Sequence, residues 1–190
     1  MQRSSGRYSG VVNQLIRGDY ETRTHRNRSP LEALCKEGAT EVSTPAEMAR
    51  NSDIVFICVK TSEQVNEIVS GADGLMAGSH EGLIIVDCST THPESTERLA
   101  KNVEHQGGVL VDAPLARTPR EARDGRLNVM VGGDASTVAR ITPVMESFAE
   151  NIFHVGKVGS AHKLKLINNF LSLGAAALVS EAATMAAGMD

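Results

Sequence analysis

Unbroken apolar runs recur along this chain and limit its fold more than anything else in it. They fall at 53–59, 82–88 and 108–113, with shorter ones at 128–132 and 151–155 and a more polar candidate at 22–26. A strand with one wet face alternates apolar and polar side chains, so an unbroken run calls for cover on both faces. Helical patterns lie between the runs. Thr44, Pro45 and Glu47 read as N-cap, first helical residue and the closing arm of a capping box. Val65, Ile68 and Val69 form an apolar stripe after Ser62. A further helix starts at Pro93, with Leu99 and Val103 on one face. Another spans 134–148 with Val138, Ile141 and Met145 inward, and Pro143 is expected to kink or break it. This alternation predicts an α/β domain with a mostly parallel sheet. Such sheets bind ligands beyond the carboxyl ends of their strands. That points to Asn27 and Arg28, to Val59 through Thr61, to Ser89 through Thr91, and to 113–118.

The last segment differs. From Ser160 to Met189 there is no proline, and one long helix is expected, its second half rich in alanine. Another chain packs on such a helix, or the sequence stops part-way into a second domain. The apolar stretch from Phe170 to Val179 is too short to span a membrane and is followed by Glu181. No membrane partner is expected. Aromatics make up 3% of the chain and its net charge is -4, which gives no case for nucleic acid. The first thirty residues are nonetheless basic, with Arg3, Arg7, Arg17, Arg23, Arg26 and Arg28 against Asp19 and Glu21. Such a segment suits an anionic cofactor or a solvated arm. Cys35, Cys58 and Cys88 follow neither a disulfide nor a zinc pattern, and no metal site is predicted. Cys58 and Cys88 lie in apolar runs and are expected to be buried thiols. A reducing compartment and the absence of an apolar leader indicate a cytoplasmic protein.

Lys165, Asn169 and Ser172 are spaced i, i+4 and i+7 in the long helix and share a face, with Asn168 beside it. A solvated stripe is the ordinary meaning of that spacing. The alternative is a site for a small polar substrate, since a neutral Lys takes a proton from an alcohol and its ammonium returns one to a carbonyl.

The segment from Gly156 to Asn169 resembles the catalytic segment of the β-hydroxyacid dehydrogenases, a family that includes 3-hydroxyisobutyrate dehydrogenase and is related to 6-phosphogluconate dehydrogenase. Lys165 and Asn169 match the pattern Gly-x-x-x-Lys-x-x-x-Asn, and Ala161 replaces its glycine. Upstream, Asn27 through Pro30 resembles Asn-Arg-Ser/Thr-Pro, where an Arg meets the 2′-phosphate of NADP. Val59 through Gln64 is similar to a cofactor segment Leu-Pro-x-x-x-Asn, with Lys60 and Gln64 as departures. Asp87 through Thr90 resembles Asp-x-Ser-Thr, and 126–133 resembles the family's Leu-x-x-Met-Val-Gly-Gly strand. Asp112 through Pro119 resembles the substrate-anion loop, with Ala116, Arg117 and Thr118 in place of Ser-Gly-Gly.

The resemblance implies hydride transfer between NAD(P), NADP favoured, and a small anionic β-hydroxyacid or related aldehyde. Lys165 would be the acid/base and Asn169 would orient it. Asn27, Arg28, Val59, Lys60, Gln64 and Thr90 would meet the cofactor. Arg117, Thr118, Asn168 and Ser172 would meet the substrate, and the Arg117 variant resembles that of sulfolactaldehyde reductases within the family. It implies a Rossmann-like α/β domain over 1–157 with a degenerate first strand. The start of a truncated helical domain follows over 158–190, through which homo-oligomers are expected to form. Met1 to Ser5 does not read as a buried strand, and Gly6 and Gly10 do not have the spacing of Gly-x-Gly-x-x-Gly. A non-catalytic remnant that binds a partner is therefore the alternative.

Overall fold

A computed structural model describes residues 14–16 and 29–189. The candidate strand at 22–26, the glycines Gly6 and Gly10, and Asn27 and Arg28 lie outside the described residues. The strands are β1 (Gln14–Ile16), β2 (Thr40–Val42), β3 (Ile54–Ile57), β4 (Ile84–Asp87), β5 (Val109–Asp112), β6 (Leu115–Ala116), β7 (Leu127–Gly132) and β8 (Ala149–Gly156). The helices are α1 (Ser29–Lys36), α2 (Pro45–Arg50), α3 (Ser62–Ser70), α4 (Pro93–Glu104), α5 (Pro119–Arg123), α6 (Ala135–Met145) and α7 (Ser160–Ala187), with a 3-10 turn at Leu75–Gly78.

β3, β4 and β5 form the parallel centre of the main sheet, in register Ile57 to Asp87 to Asp112. Beyond Asp112 the chain carries on through β6, and this stretch pairs antiparallel with β7, whose other edge takes β8 in parallel. The sheet is thus mixed around a parallel core. β1 and β2 make a separate two-stranded parallel sheet.

The unbroken apolar runs divide by strand periodicity. Val55, Ile57, Ile85 and Leu110 belong to one core layer with Val65, Ile68, Val69, Leu99 and Val103 from α3 and α4. Ile54, Ile84, Val86 and Val111 belong to the other with Val138, Ile141, Val144 and Met145 from α6. Each strand therefore has an apolar neighbour on both faces, which is why its sequence does not alternate.

Local signals explain most helix starts. Thr44 accepts from the amide of Glu47 (3.1 Å), but the Glu47 carboxylate accepts from Ser43 (2.8 Å) rather than from Thr44, one residue off the expected box. The complete boxes are at Thr61 with Gln64 and at Thr118 with Glu121. Asp134 caps α6 through the amides of Ser136 and Thr137, and their hydroxyls and amides hold its carboxyl down to about 2.

Some expectations need correction. α6 runs through Pro143 and ends two residues later, so the missing amide falls in the last turn and breaks nothing upstream. Cys88 is buried, but Cys58 is exposed, one residue past the end of β3. β2, β6 and α5 were not signalled by apolar periodicity, being two to five residues long. α7 spans 28 residues and, by length and composition alone, is long and apolar enough to cross a membrane, which the stretch 170–179 was not.

The 3-10 turn packs on α2 so closely that a β-carbon on Gly78 would lie 2.0 Å from the Ala46 carbonyl oxygen. Gly78→Ala is expected to cost about 2 kcal/mol, within the range for overpacking. Urea denaturation checks this, and an unchanged midpoint would refute the packing described.

Candidate active site

The carboxyl ends of β4 and β5 each carry an aspartate. Asp87 and Asp112 are register partners on adjacent parallel strands, 1% and 0% exposed. Same-register side chains point to the same face, so both carboxylates lie on one face of the sheet, where water is excluded. Each is supplied with donors from elsewhere. Asp112 accepts from the amides of Gly159 (2.7 Å) and His162 (2.9 Å), so it caps the start of α7 from across the fold. Asp87 accepts from the Ser89 amide (2.9 Å) and the Thr91 hydroxyl (3.3 Å). Burial pushes the Asp112 carboxyl up, and its bonds from His162 and Gly159 pull against that.

His162 is fully buried among these groups. Its Nε2 lies 3.1 Å from the Ser89 carbonyl oxygen and 3.9 Å from Asp87 Oδ2. Its Nδ1 lies 2.8 Å from the Thr96 hydroxyl and 3.0 Å from that of Thr91. A carbonyl only accepts, so Nε2 carries the proton there and Nδ1 is left to accept from a threonine.

Two glycines make this approach feasible. Gly159 holds φ +87° at the N-cap of α7, and a β-carbon there would press on Glu97 (2.8 Å). A β-carbon on Gly132 would lie 2.4 Å from Asp112 Oδ1 and 2.8 Å from the Lys157 carbonyl oxygen. Outside the buried set, Lys163 bonds Glu97 at 2.6 Å and ties α7 to α4 at the surface.

Lys165 follows His162 by one turn. It is 9% exposed, with no hydrogen bond or ion pair among the described residues. Burial alone lowers its ammonium pKa from the ordinary lysine value. A lysine shifted that way is suited to proton transfer nearer neutral pH. Asn169, one turn on, is half-buried. Asn168 and Ser172 are exposed, and Ser172 donates to the Asn168 carbonyl (2.7 Å) within the helix. The predicted stripe is thus inward at Lys165 and Asn169 only.

The loops after β3 and β4 are brought together. The Val59 amide donates to Ser89 Oγ (3.0 Å), and the His92 amide donates to Ser62 Oγ (3.1 Å). Gln64 Oε1 accepts from Lys60 (3.0 Å) and Thr61 (3.3 Å), so it shapes the turn that carries Lys60. Thr90 and Lys60 are exposed on this rim. These two loops, with a helix N-terminus and a lysine, fit an anionic dinucleotide.

Arg117 and Thr118 are used locally. Arg117 sits at φ +82°, where the family has glycine, and its Nη1 donates to the Arg126 carbonyl (2.6 Å) and to Glu150. Thr118 caps α5. No hydrogen bond or ion pair joins either to Lys165 among the described residues. The Asp87–Asp112–His162 set is what sequence reasoning missed. Its signal was an aspartate closing each of two apolar runs and one histidine in an apolar helix.

The NAD-binding domain of 6-phosphogluconate dehydrogenase matches residues 9–156. This chain belongs to that family. 2-Hydroxy-3-oxopropionate reductase of Escherichia coli is 37% identical over 159 residues, 83% of this chain and 54% of the relative. 3-Sulfolactaldehyde reductase of the same organism is 27% identical over 183 residues, 96% of this chain and 61% of the relative. A solved structure described as Psf3 in complex with NADP+ and 2-OPP superposes with a TM-score of 0.74 at 28% identity, covering 85% of this chain and 59% of that one. The chain therefore spans between half and two thirds of the length of these relatives. The Rossmann-like fold expected from the sequence is the fold observed.

Gly132→Ala is expected to displace Asp112 and destabilise the chain by about 1–3 kcal/mol. Gly174→Ala, where a β-carbon meets nothing within 4 Å, is the control that should not. Equal midpoints for the two variants in chemical denaturation would contradict the close approach.

Proposed function

We propose that this chain is the cofactor-binding, base-bearing part of an NAD(P)-dependent oxidoreductase acting on a small anionic β-hydroxyacid or aldehyde. One observation carries the proposal most. Lys165, at the start of α7, is 9% exposed and has no hydrogen bond or ion pair among the described residues, and that helix is fastened to the carboxyl edge of the parallel strands. A bound nicotinamide supplies or accepts the hydride. Lys165 gives a proton to the substrate oxygen as a carbonyl is reduced, or takes it from the hydroxyl in the reverse direction, and Asn169 orients the pair. Thr90, Val59, Lys60 and Gln64 form the cofactor rim, with Asn27 and Arg28 favouring NADP.

We assign Arg117 and Thr118 to the substrate's anionic end, with Asn168 and Ser172 flanking. For Arg117 this requires a carboxylate or sulfonate to replace Glu150. The departure at Arg117, together with likeness to a sulfolactaldehyde reductase, favours a sulfonated aldehyde. We assign the exposed apolar residues of α7, Phe170 and Leu171 among them, to contact with protein in a homo-oligomer. Nucleic acid and membrane are not among the proposed partners, and the proposed location is the cytoplasm.

Titration with NADPH and NADH, read by nicotinamide fluorescence, tests the cofactor site. Tighter NADPH binding is expected, and Arg28→Ala is expected to weaken it about ten- to a hundredfold, the loss of one charged hydrogen bond. No saturable binding by the folded chain would overturn the proposal.

Turnover is then assayed with 3-sulfolactaldehyde, 2-hydroxy-3-oxopropionate and 3-hydroxyisobutyrate. Lys165→Ala should lower kcat about 10²- to 10⁴-fold with nucleotide binding intact. Because burial lowers the Lys165 pKa, reduction, which needs the ammonium, should fall as pH rises through a value below the ordinary lysine range. Oxidation, which needs the amine, should rise through the same value. A pH profile without that shared limb would remove Lys165 from the role.

A further inference from the structure

Filling the space under α7 would require only a side chain of suitable size. His162 does more. Its Nε2 reaches the Ser89 carbonyl, its Nδ1 reaches the hydroxyls of Thr91 and of Thr96 of α4, and its amide is held by Asp112. Ser89 and Thr91 flank Thr90 on the cofactor rim. Lys165 stands three residues after His162, about 4.5 Å along the helix axis. A single side chain thus touches the loop that carries Thr90 and the helical turn that leads to Lys165.

We propose that His162 is a positioning residue. It locks the first turn of α7 to the Ser89–Thr91 loop and so fixes Lys165 relative to the cofactor rim. This rests on the oxidoreductase function proposed above. Hydride and proton transfer need both partners placed within fractions of an ångström, and small displacements cost large factors in rate. The ring suits the task because its two nitrogens complete the bonding on both sides. Nε2–H donates to Ser89, Nδ1 accepts from Thr96, and Thr91 remains free to donate to Asp87 Oδ2. The charged groups facing it are Asp87 from β4 and Asp112 from β5. No buried side-chain polar atom in the set lacks a partner.

The test uses the full chain with His162→Gln, His162→Leu and Thr96→Val. Gln offers an N–H to Ser89 and an oxygen to Thr96, whereas Leu offers neither. The first readout needs no activity: the Lys165 Cε–Hε signal is titrated by NMR in chain labelled at lysine. In the wild type it should titrate below the ordinary lysine value. In His162→Leu it should return toward that value as the freed turn admits water, and in His162→Gln it should stay as in the wild type. Thr96→Val, which removes one hydroxyl from the ring, should move it in the direction of His162→Leu and keeps the test decisive if the Leu variant does not fold.

The second readout is steady-state kinetics with NADPH and 3-sulfolactaldehyde. His162→Leu should lower kcat about ten- to a hundredfold with the KM for NADPH within about threefold, and His162→Gln should restore kcat. A folded His162→Leu or Thr96→Val chain in which Lys165 titrates as in the wild type would overturn the proposal. So would a Gln variant as impaired as Leu. Wild-type chain without turnover would instead count against the oxidoreductase function, and the Lys165 titration would still decide the role of His162.

Discussion

Two aspartates in register at the ends of β4 and β5 impose the strongest demand in this structure. Both are buried, and like charges so placed are costly unless each is met by donors or by opposite charge. The strands cannot meet that demand, because their amides are committed to the ladder. α7 and the loop after β4 meet it instead. The first turn of a helix has amides without internal partners, and two of those at the start of α7 go to Asp112. The Ser89 amide and the Thr91 hydroxyl go to Asp87. The needs of the carboxylates and of the helix end are complementary, and their meeting fixes where α7 starts. Gly132 and Gly159 follow as consequences, since a side chain at either would occupy the space that the Asp112 bonds or Glu97 require.

The direction of α7 then determines what else the edge can do. Ala161, His162 and Lys165 turn inward and become buried, while from Leu166 onward the helix is largely exposed. The inward face is short, and its Lys165 amine has no counter-charge among the described residues. An isolated lysine in such a place lowers stability, since burial disfavours its charged form. The surrounding bonds hold it there all the same. A lysine without a partner among the described residues, kept in place by a satisfied network, accords with the proton-transfer role proposed for it.

The elements legible in the sequence were those whose signal is local. β3, β4 and β5 showed as apolar runs because both their faces are covered, and Lys165 with Asn169 showed by helical spacing. β2 and β6 are too short to display a period. Pro143 was read as a kink or break, but its place in the last turn of α6 makes its lost hydrogen bond harmless. Cys58 was read as core because its neighbours are apolar, although it lies just past the strand end. The buried set could not be read at all from spacing. Asp87 and Asp112 meet through strand register, and His162 reaches Ser89 across 73 positions of sequence.

Arg117 shows the same limit with a functional consequence. The family resemblance implies a guanidinium in a substrate-anion loop. In the fold it is already paired, with Glu150 reaching it from β8 and Arg126 also approaching that carboxylate. An exposed pair of this kind contributes little to stability, so it can be exchanged at small cost. Any anion that uses Arg117 must still outbid a tethered carboxylate. A group that accepts two parallel hydrogen bonds from the planar guanidinium competes better than one that accepts a single bond. Under the proposed assignment of Arg117 to the substrate's anionic end, selectivity there would depend on the shape and charge of the anion relative to Glu150, and a neutral hydroxyl or carbonyl would leave the pair closed.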